Sequence, residues 1–259
     1  MASFITAERR NQIVQILMED GSLRINDMAK QFQVSTETIR KDLKYLEKMG
    51  VAKKSYGGAQ AANEGFISQF NFRMVQNIEA KNKLAAKAIE YIQPGSMVFI
   101  DVGSTAMCVA KQLISHTDLT VVTNSLVVAN ILSNSKNNVY VTGGRLNGTN
   151  MSLLGLWTMD AMKTINPSVS FLGSSGFSAF GGPTTGSFDE SEARKSITQV
   201  SAKSIVLADS SKFFNQTGLV SYASWSDVDV LITDSGAPMA KVRDLRREVE
   251  VVVVDLDNG

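Results

Sequence analysis

Residues 35–58, STETIRKDLKYLEKMGVAKKSYGG, decide how the first part of the chain folds. Ile39, Leu43 and Leu46 recur at four- and three-residue spacing, the period of one helix face. Ser35 is placed to cap the helix start and Gly50 to end it. Thr36, Glu37, Thr38, Arg40, Lys41, Lys44 and Lys48 are left facing outward. Residues 51–60 follow as a strand-like run holding Lys53, Lys54, Tyr56 and a Gly57-Gly58 turn. Working upstream, Ile13, Ile16 and Leu17 fall on one face of a helix over about 7–19, broken at Asp20-Gly21-Ser22. Met28, Ala29 and Phe32 mark a short helix near 25–31, with a tight connection at Gln33-Val34. Three small helices and a basic hairpin make the plan of a winged helix-turn-helix.

Charge is distributed to match. The chain of 259 residues is nearly neutral, +1, yet residues 1–60 hold ten basic against seven acidic side chains. Between Arg40 and Lys54 there are six basic residues and only Asp42 and Glu47 to oppose them. A cationic end on a slightly acidic body suits an anionic polymer. A solvated helix face shares the charge pattern, and a protein-docking module shares the apolar one. A major groove admits one helix, whose N-terminal side chains reach base edges while flanking groups hold phosphates. Thr36, Thr38 and Arg40 stand at that tip; Lys53, Lys54 and Tyr56 stand where a wing meets the backbone. The residues expected on DNA are Arg9, Ser35, Thr36, Glu37, Thr38, Arg40, Lys41, Lys44, Lys53, Lys54 and Tyr56.

Residues 9–59 resemble the N-terminal domain of the DeoR family of bacterial sugar-catabolism repressors. The resemblance rests on Arg9-Arg10, Val34-Ser35, Thr38-Ile39-Arg40, Asp42-Leu43, Leu46, Gly50 and Gly57-Gly58-Ala59. The family often has Arg where Lys41 stands, and His where Tyr56 stands. Lys keeps the charge but lacks the planar fork of Arg.

Residues 61–76 read as a linker, polar and then aromatic, with Phe66, Phe70 and Phe72 free to pack on either side. The expected division is therefore a DNA-binding domain over 1–60, a linker over 61–76 and a larger domain over 77–259. From Ile78 onward, short Val- and Ile-rich runs alternate with helices: SMVFID, LTVVTN, NVYVTGG, SVSFLG, SIVLAD, VDVLITD and EVEVVVVD. That pattern predicts an α/β domain built on a largely parallel sheet covered on both faces. Ligands of such sheets bind at the carboxyl ends of the strands. Polar residues collect there: Asp101 to Thr105, Thr123-Asn124-Ser125, Gly143-Gly144, Gly173 to Gly176, and Asp209 to Lys212. Gly103, Ser104 and Thr105 at a helix start form a cradle for phosphate, to which Lys212 adds a positive charge.

This region resembles the DeoR C-terminal sensor domain, which is similar to the ribose-5-phosphate isomerase fold. The matching stretches are Asp101 to Thr105, Val122 to Ser125, Gly143-Gly144, Phe171 to Gly173, Glu190 with Arg194-Lys195, Asp209 to Phe213, and Ile232 to Asp234. The resemblance implies that Gly103, Ser104 and Thr105 hold a sugar phosphate, with Asn124, Gly144, Glu190, Lys195 and Lys212 along the sugar. Asp101, Thr123 and Ser125 complete the expected ligand set. The family often has Asp where Ser168 stands, so no contact of that Asp carries over. Glu190, Asp209 and Lys212 would also suit an aldose–ketose isomerase; the fused DNA-binding part favours a sensor, and no enzymatic activity is expected.

Composition excludes other classes. Apolar types at 44% and charged types at 20% describe a globular protein. Cys108 and His116, one of each, cannot build a disulfide or a Cys/His metal site. No metal or cofactor is expected. Neither a membrane span nor a signal-peptide core is visible, so the expectation is a cytoplasmic protein. Operator DNA and a phosphorylated sugar are the expected partners. One small module reads little DNA, so a dimer or tetramer is expected as well.

Overall fold

The computed structural model describes residues 2–62, 66–177, 181–214 and 218–256, and the side chains of these apart from 2–5 and 66–70. The chain divides between Glu79 and Ala80 into two units.

The first unit opens with α1 (Ala2–Asp20), which ends where Gly21 takes φ 72° and donates its N–H to the Leu17 carbonyl. Then come β1 (Ser22–Arg24), α2 (Ile25–Gln31), α3 (Thr36–Lys48), β2 (Ala52–Ser55), β3 (Gly58–Ala61) and α4 (Phe66–Val75). Ser35 caps α3 by accepting the Thr38 N–H at 3.1 Å. The wing is a three-stranded antiparallel sheet ordered β1-β3-β2, turning at Tyr56-Gly57. Three residues of β1 are too few to show a strand period. Gly58 is required by this pairing, because a Cβ there would lie 2.0 Å from the Leu23 carbonyl oxygen. Ile13, Leu17, Ile39 and Leu46 are wholly buried in the core of this unit, joined by Val51, Phe72 and Val75.

The last two of those correct the linker reading. Residues 66–75 form a helix, and Phe72 and Val75 bury among the first unit's own apolar residues. The side chains of Phe66 and Phe70, and residues 63–65, lie outside the described residues. Asn77, at φ 52°, follows α4; its N–H is accepted by Asn11 Oδ1 at 3.0 Å, and its own Oδ1 accepts from Asn11 Nδ2 at 3.3 Å.

The second unit begins within α5 (Ile78–Ile89). It continues through β4 (Met97–Ile100), α6 (Ser104–Leu113), β5 (Thr117–Thr123), α7 (Leu126–Leu132) and β6 (Lys136–Val141). A hairpin of β7 (Arg145–Asn147) and β8 (Ser152–Leu154) leads to α8 (Leu156–Lys163), β9 (Val169–Gly173), β10 (Thr184–Thr185) and α9 (Phe188–Val200). The remainder is β11 (Ser204–Leu207), β12 (Val220–Ser221), β13 (Val230–Asp234), α10 (Met239–Leu245) and β14 (Glu250–Val254). Seven strands form one sheet ordered β14-β13-β11-β9-β4-β5-β6, and every pairing in it is parallel. Every residue of β11 and β13 is buried, as strands covered on both faces must be.

Phe99, Leu172, Ile197, Val206 and Leu231 lie in the core of this unit. Trp225 belongs to it too, its ring edge-on to Phe177 at 5.2 Å between centroids, which makes it a packing residue. Trp157, by contrast, is 76% exposed. Cys108 is buried in α6, and burial pushes its thiol up.

Candidate nucleic-acid interface and ligand cleft

Helix α3 buries Ile39, Asp42, Leu43 and Leu46 and turns its cations outward. Arg40, Lys41 and Lys44 line a groove whose other wall is the wing, with Lys54, Ser55 and Gly57. Arg40 is steered along the helix by Thr36 Oγ1, which accepts from Nη1 at 3.3 Å, and by Glu37 at 3.7 Å. Tyr56, at the tip of the wing, is fully exposed. Lys53 and Lys54 are exposed neighbours on β2, so their side chains leave opposite faces of the strand. Lys54 shares the groove with α3. Ser35 is committed to its cap, and its Oγ also lies 3.0 Å from Thr38 Oγ1.

Arg9 is the correction on this surface. Its side chain is buried and donates from Nε to Asp42 Oδ2 at 2.6 Å, so it cannot reach DNA. An arginine about two turns into a helix reads the same in sequence whether it faces solvent or a buried carboxylate. Arg10, partly exposed, donates to the other oxygen of Asp42 at 2.8 Å.

In the second unit the strand order reverses direction between β4 and β9. From β4 the chain moves to β5 and β6 on one side, and from β9 to β11, β13 and β14 on the other. Such a switch point leaves a crevice outside the carboxyl ends of the two central strands. Gly103 stands there as the N-cap of α6 at φ 126°, a conformation open to glycine, and a Cβ on it would meet nothing within 4 Å. The first N–H groups of α6, from Ser104 onward, have no carbonyl one turn back and carry the positive end of the helix dipole. Ser104 is buried and Thr105 half-buried beside them.

At the ends of β4 and β9 lies a buried ionic network. Arg194 donates from Nε to Asp101 Oδ2 at 2.7 Å and from Nη1 to Glu190 Oε2 at 3.4 Å. Asp101 Oδ2 also accepts the Gly173 N–H at 3.1 Å, tying the end of β4 to the end of β9. Tyr222 donates its hydroxyl to the Gly173 carbonyl at 2.9 Å and lies beneath the guanidinium, 5.5 Å from ring centroid to Cζ. Burial works against the charge on Arg194, but Asp101 and Glu190 overcome it and hold the group above the ordinary arginine value. Burial likewise pushes the Tyr222 phenol well up, with Asp101 adding to it and Arg194 opposing. Glu190 accepts further bonds from Thr185 Oγ1 and Asn150 Nδ2.

Several expected ligand residues are thereby given internal work. Asp101, 2% exposed, is half of an ion pair rather than a free strand-end carboxylate. Thr123 is wholly buried, donating to the Ile100 carbonyl at 2.6 Å and accepting the Ser125 N–H. Ser125 caps α7 by accepting the Val128 N–H at 3.2 Å. Asn124 donates to the Leu153 carbonyl at 3.4 Å. Gly144 serves close approach, since a Cβ there would lie 2.2 Å from Thr158 Oγ1. Lys195 is exposed one position beyond Arg194 and lines a different groove, with Thr198, Gln199, Ser224 and Asp227. Lys212 lies half-buried in the short 3-10 turn after β11, and its ammonium has no bonding partner among the described residues. The crevice thus gathers Gly103, Ser104, Thr105 and the Asp101–Arg194–Glu190 network.

The sequence alone does not bring Arg194, Tyr222, Asn150 and Thr185 together. Arg194 carried a signal: it stands four residues after Glu190 on one helix, the spacing of an ion pair. Tyr222 and Thr185 lie in short segments where no periodicity announces them.

Comparison with known proteins is consistent across the chain. Residues 9–64 match the DeoR-like helix-turn-helix domain and residues 76–235 the DeoR C terminal sensor domain. A relative in Escherichia coli O157:H7, named for repression of the aga operon, is 34% identical over 254 residues, covering 96% of this chain and 94% of its own. The glycerol-3-phosphate regulon repressor of Escherichia coli K12 is 30% identical over 234 residues, covering 90% and 92%. A ribose 5-phosphate isomerase A from Methanocaldococcus jannaschii aligns over 53% of this chain and 55% of its own, with 14% identity and a TM-score of 0.40.

Proposed function

The chain belongs to the DeoR family of transcriptional regulators, and from that premise we propose that it is a repressor whose grip on operator DNA is set by a phosphorylated sugar. It binds DNA through its helix-turn-helix domain. The observation that carries the reading is the groove between α3 and the wing, where Arg40, Lys41, Lys44 and Lys54 converge over a buried apolar back. In this reading α3 enters the major groove, Thr36, Thr38 and Arg40 meet base edges, and Lys53, Lys54 and Tyr56 hold the flanking backbone.

The effector site is the crevice at the switch point. The N-terminus of α6 receives the phosphate and Lys212 supplies a positive charge from another strand end. The Arg194 network forms the floor against which the sugar lies. A relative named as the glycerol-3-phosphate regulon repressor supports a small phosphorylated polyol or sugar. Glu190 argues against an isomerase, because its carboxylate is already bonded to Thr185, Asn150 and Arg194 and is not free to move a substrate proton. Two half-sites call for at least a dimer, joined through residues 80–259. No described helix is long and apolar enough to cross a membrane.

The test begins with a duplex selected by the full-length protein from a randomised pool. Binding to it should weaken steeply with salt, and Lys53→Ala and Lys54→Ala should each flatten the slope by about one unit. Glycerol 3-phosphate and a panel of pentose and hexose phosphates, each beside its unphosphorylated counterpart, are then titrated into the complex. One phosphorylated compound should shift the affinity, by about 5–150-fold, and its free sugar far less. Unchanged slopes in both lysine variants would remove the wing from the interface. An equal response to the unphosphorylated compound would remove the phosphate cradle.

A further inference from the structure

The most unusual residue on α3 is a carboxylate. Asp42 lies among Arg40, Lys41 and Lys44 in sequence, yet it is 1% exposed and faces away from the groove they line. Both of its oxygens are taken by α1: Oδ2 by Arg9 Nε at 2.6 Å and Oδ1 by Arg10 Nε at 2.8 Å. The Arg10 guanidinium also lies over the ring of Tyr45, itself on α3, with Cζ 4.1 Å from the ring centroid. One helix therefore grips the other at two carboxylate oxygens and one aromatic face.

The rest of the contact behind α3 is apolar, through Ile39, Leu43 and Leu46. Apolar packing holds a helix down but is non-directional, so it constrains rotation about the helix axis weakly. A charge-assisted pair of hydrogen bonds to both oxygens of one carboxylate is directional. At a side-chain radius of about 5–6 Å, a rotation of about 10° carries the groove-facing tips by roughly 1 Å. Hydrogen bonds to base edges fail over such a distance, whereas a phosphate attracts a lysine over a much longer range.

We propose that Asp42, with Arg9 and Arg10, is a positioning site for sequence-specific recognition. It sets the rotation of α3 and touches no DNA. The inference rests on the DNA-binding reading of α3. Its signature is a loss of discrimination between sequences without loss of general DNA affinity.

The experiment uses the full chain and two duplexes of equal length, one selected by the unaltered protein and one of scrambled sequence. Asp42→Asn should lower the ratio of the two affinities at least about tenfold, the scale of one lost base contact. Binding to the scrambled duplex and its salt slope should stay as they were. Arg10→Gln, which leaves the Arg9–Asp42 bond in place, should act in the same direction but less, and serves if Asp42→Asn does not fold. Arg10→Lys should recover part of the ratio. A role in stability alone would reduce both affinities together and leave the ratio unchanged, which overturns the proposal. A slope one unit lower in Arg10→Gln with an unchanged ratio would make Arg10 a phosphate contact and overturn it as well. Failure of the unaltered protein to select any duplex would instead defeat the DNA-binding reading itself.

Discussion

Replacing Arg194 by Met tests whether the network at the switch point holds the second unit together. Met approximates the volume of the arginine stem and removes the charge and every donor. Asp101 would keep only the Gly173 N–H among the donors at Oδ2, and Glu190 would keep Thr185 and Asn150. Both carboxylates have at most a tenth of their side-chain surface exposed, so neither recovers much hydration. Removing one partner from a buried pair costs about 3–5 kcal/mol. Asp101 bears most of that, being bonded at 2.7 Å where Glu190 is bonded at 3.4 Å. The assay is urea unfolding followed by tryptophan fluorescence, because both tryptophans, Trp157 and Trp225, lie in this unit and the first has none. With a slope of roughly 2 kcal/mol per molar urea, the midpoint should fall by about 1.5–2.5 M. Arg194→Lys, which keeps the charge but loses the fork, should fall between the two. A midpoint lowered by less than about 0.5 M in Arg194→Met would mean that the carboxylates find other partners, and the network would not be the bolt between α9 and the end of β4.

Tyr222 gives a pH dependence. Its phenol is held well above its ordinary value of 10.0 in the folded chain, so the unfolded chain loses that proton first and stability falls as pH rises above about 10. Tyr222→Phe should flatten this alkaline limb in the same urea assay while costing about 1 kcal/mol at neutral pH from the lost bond to the Gly173 carbonyl; an unchanged limb would place the titration elsewhere. Ser35→Ala should cost about 1 kcal/mol of local stability at the start of α3, read as about fivefold faster hydrogen exchange at the Thr38 amide. Gly144→Ala places a methyl group 2.2 Å from Thr158 Oγ1 and 2.7 Å from the Leu154 carbonyl at φ 120°. It should destabilise the second unit by at least about 2 kcal/mol, again by urea midpoint.

Long elements with strong periodicity were legible in the sequence. The spacing of Ile39, Leu43 and Leu46 placed α3, and the Val- and Ile-rich runs placed all seven strands of the parallel sheet. Shorter elements were not: β1, β10 and β12 hold two or three residues each and exist only through a partner. The helix over 66–75 hid for a different reason, since its polar and aromatic mixture has meaning only once Phe72 and Val75 have a core to enter. Among site residues, Arg40, Lys41 and Lys44 face outward as their spacing implies, whereas Arg9, Asp101 and Glu190 face inward. Arg9, Asp101 and Glu190 carry the charges expected of contact residues, but each is satisfied by a charge distant in sequence or one helical turn away. Sequence shows that a charge is present, while the fold decides whether it meets a ligand or a counter-ion.

The order of strands also sets a schedule for synthesis. The first unit has all of its internal partners once residue 79 has been made. The sheet has a different history, because its middle pair joins β4 to β9, with Val98 beside Val169. No two-sided core can close around β4 until β9 arrives, and closure over so long a loop is slow. At about 5–20 residues per second, the chain between the end of the first unit and β9 takes roughly 5–20 s to appear. During that interval a nascent chain carries a finished DNA-binding head and an unfinished sensor. A message cut short in the same window would yield a folded helix-turn-helix domain with no sensor domain attached to it.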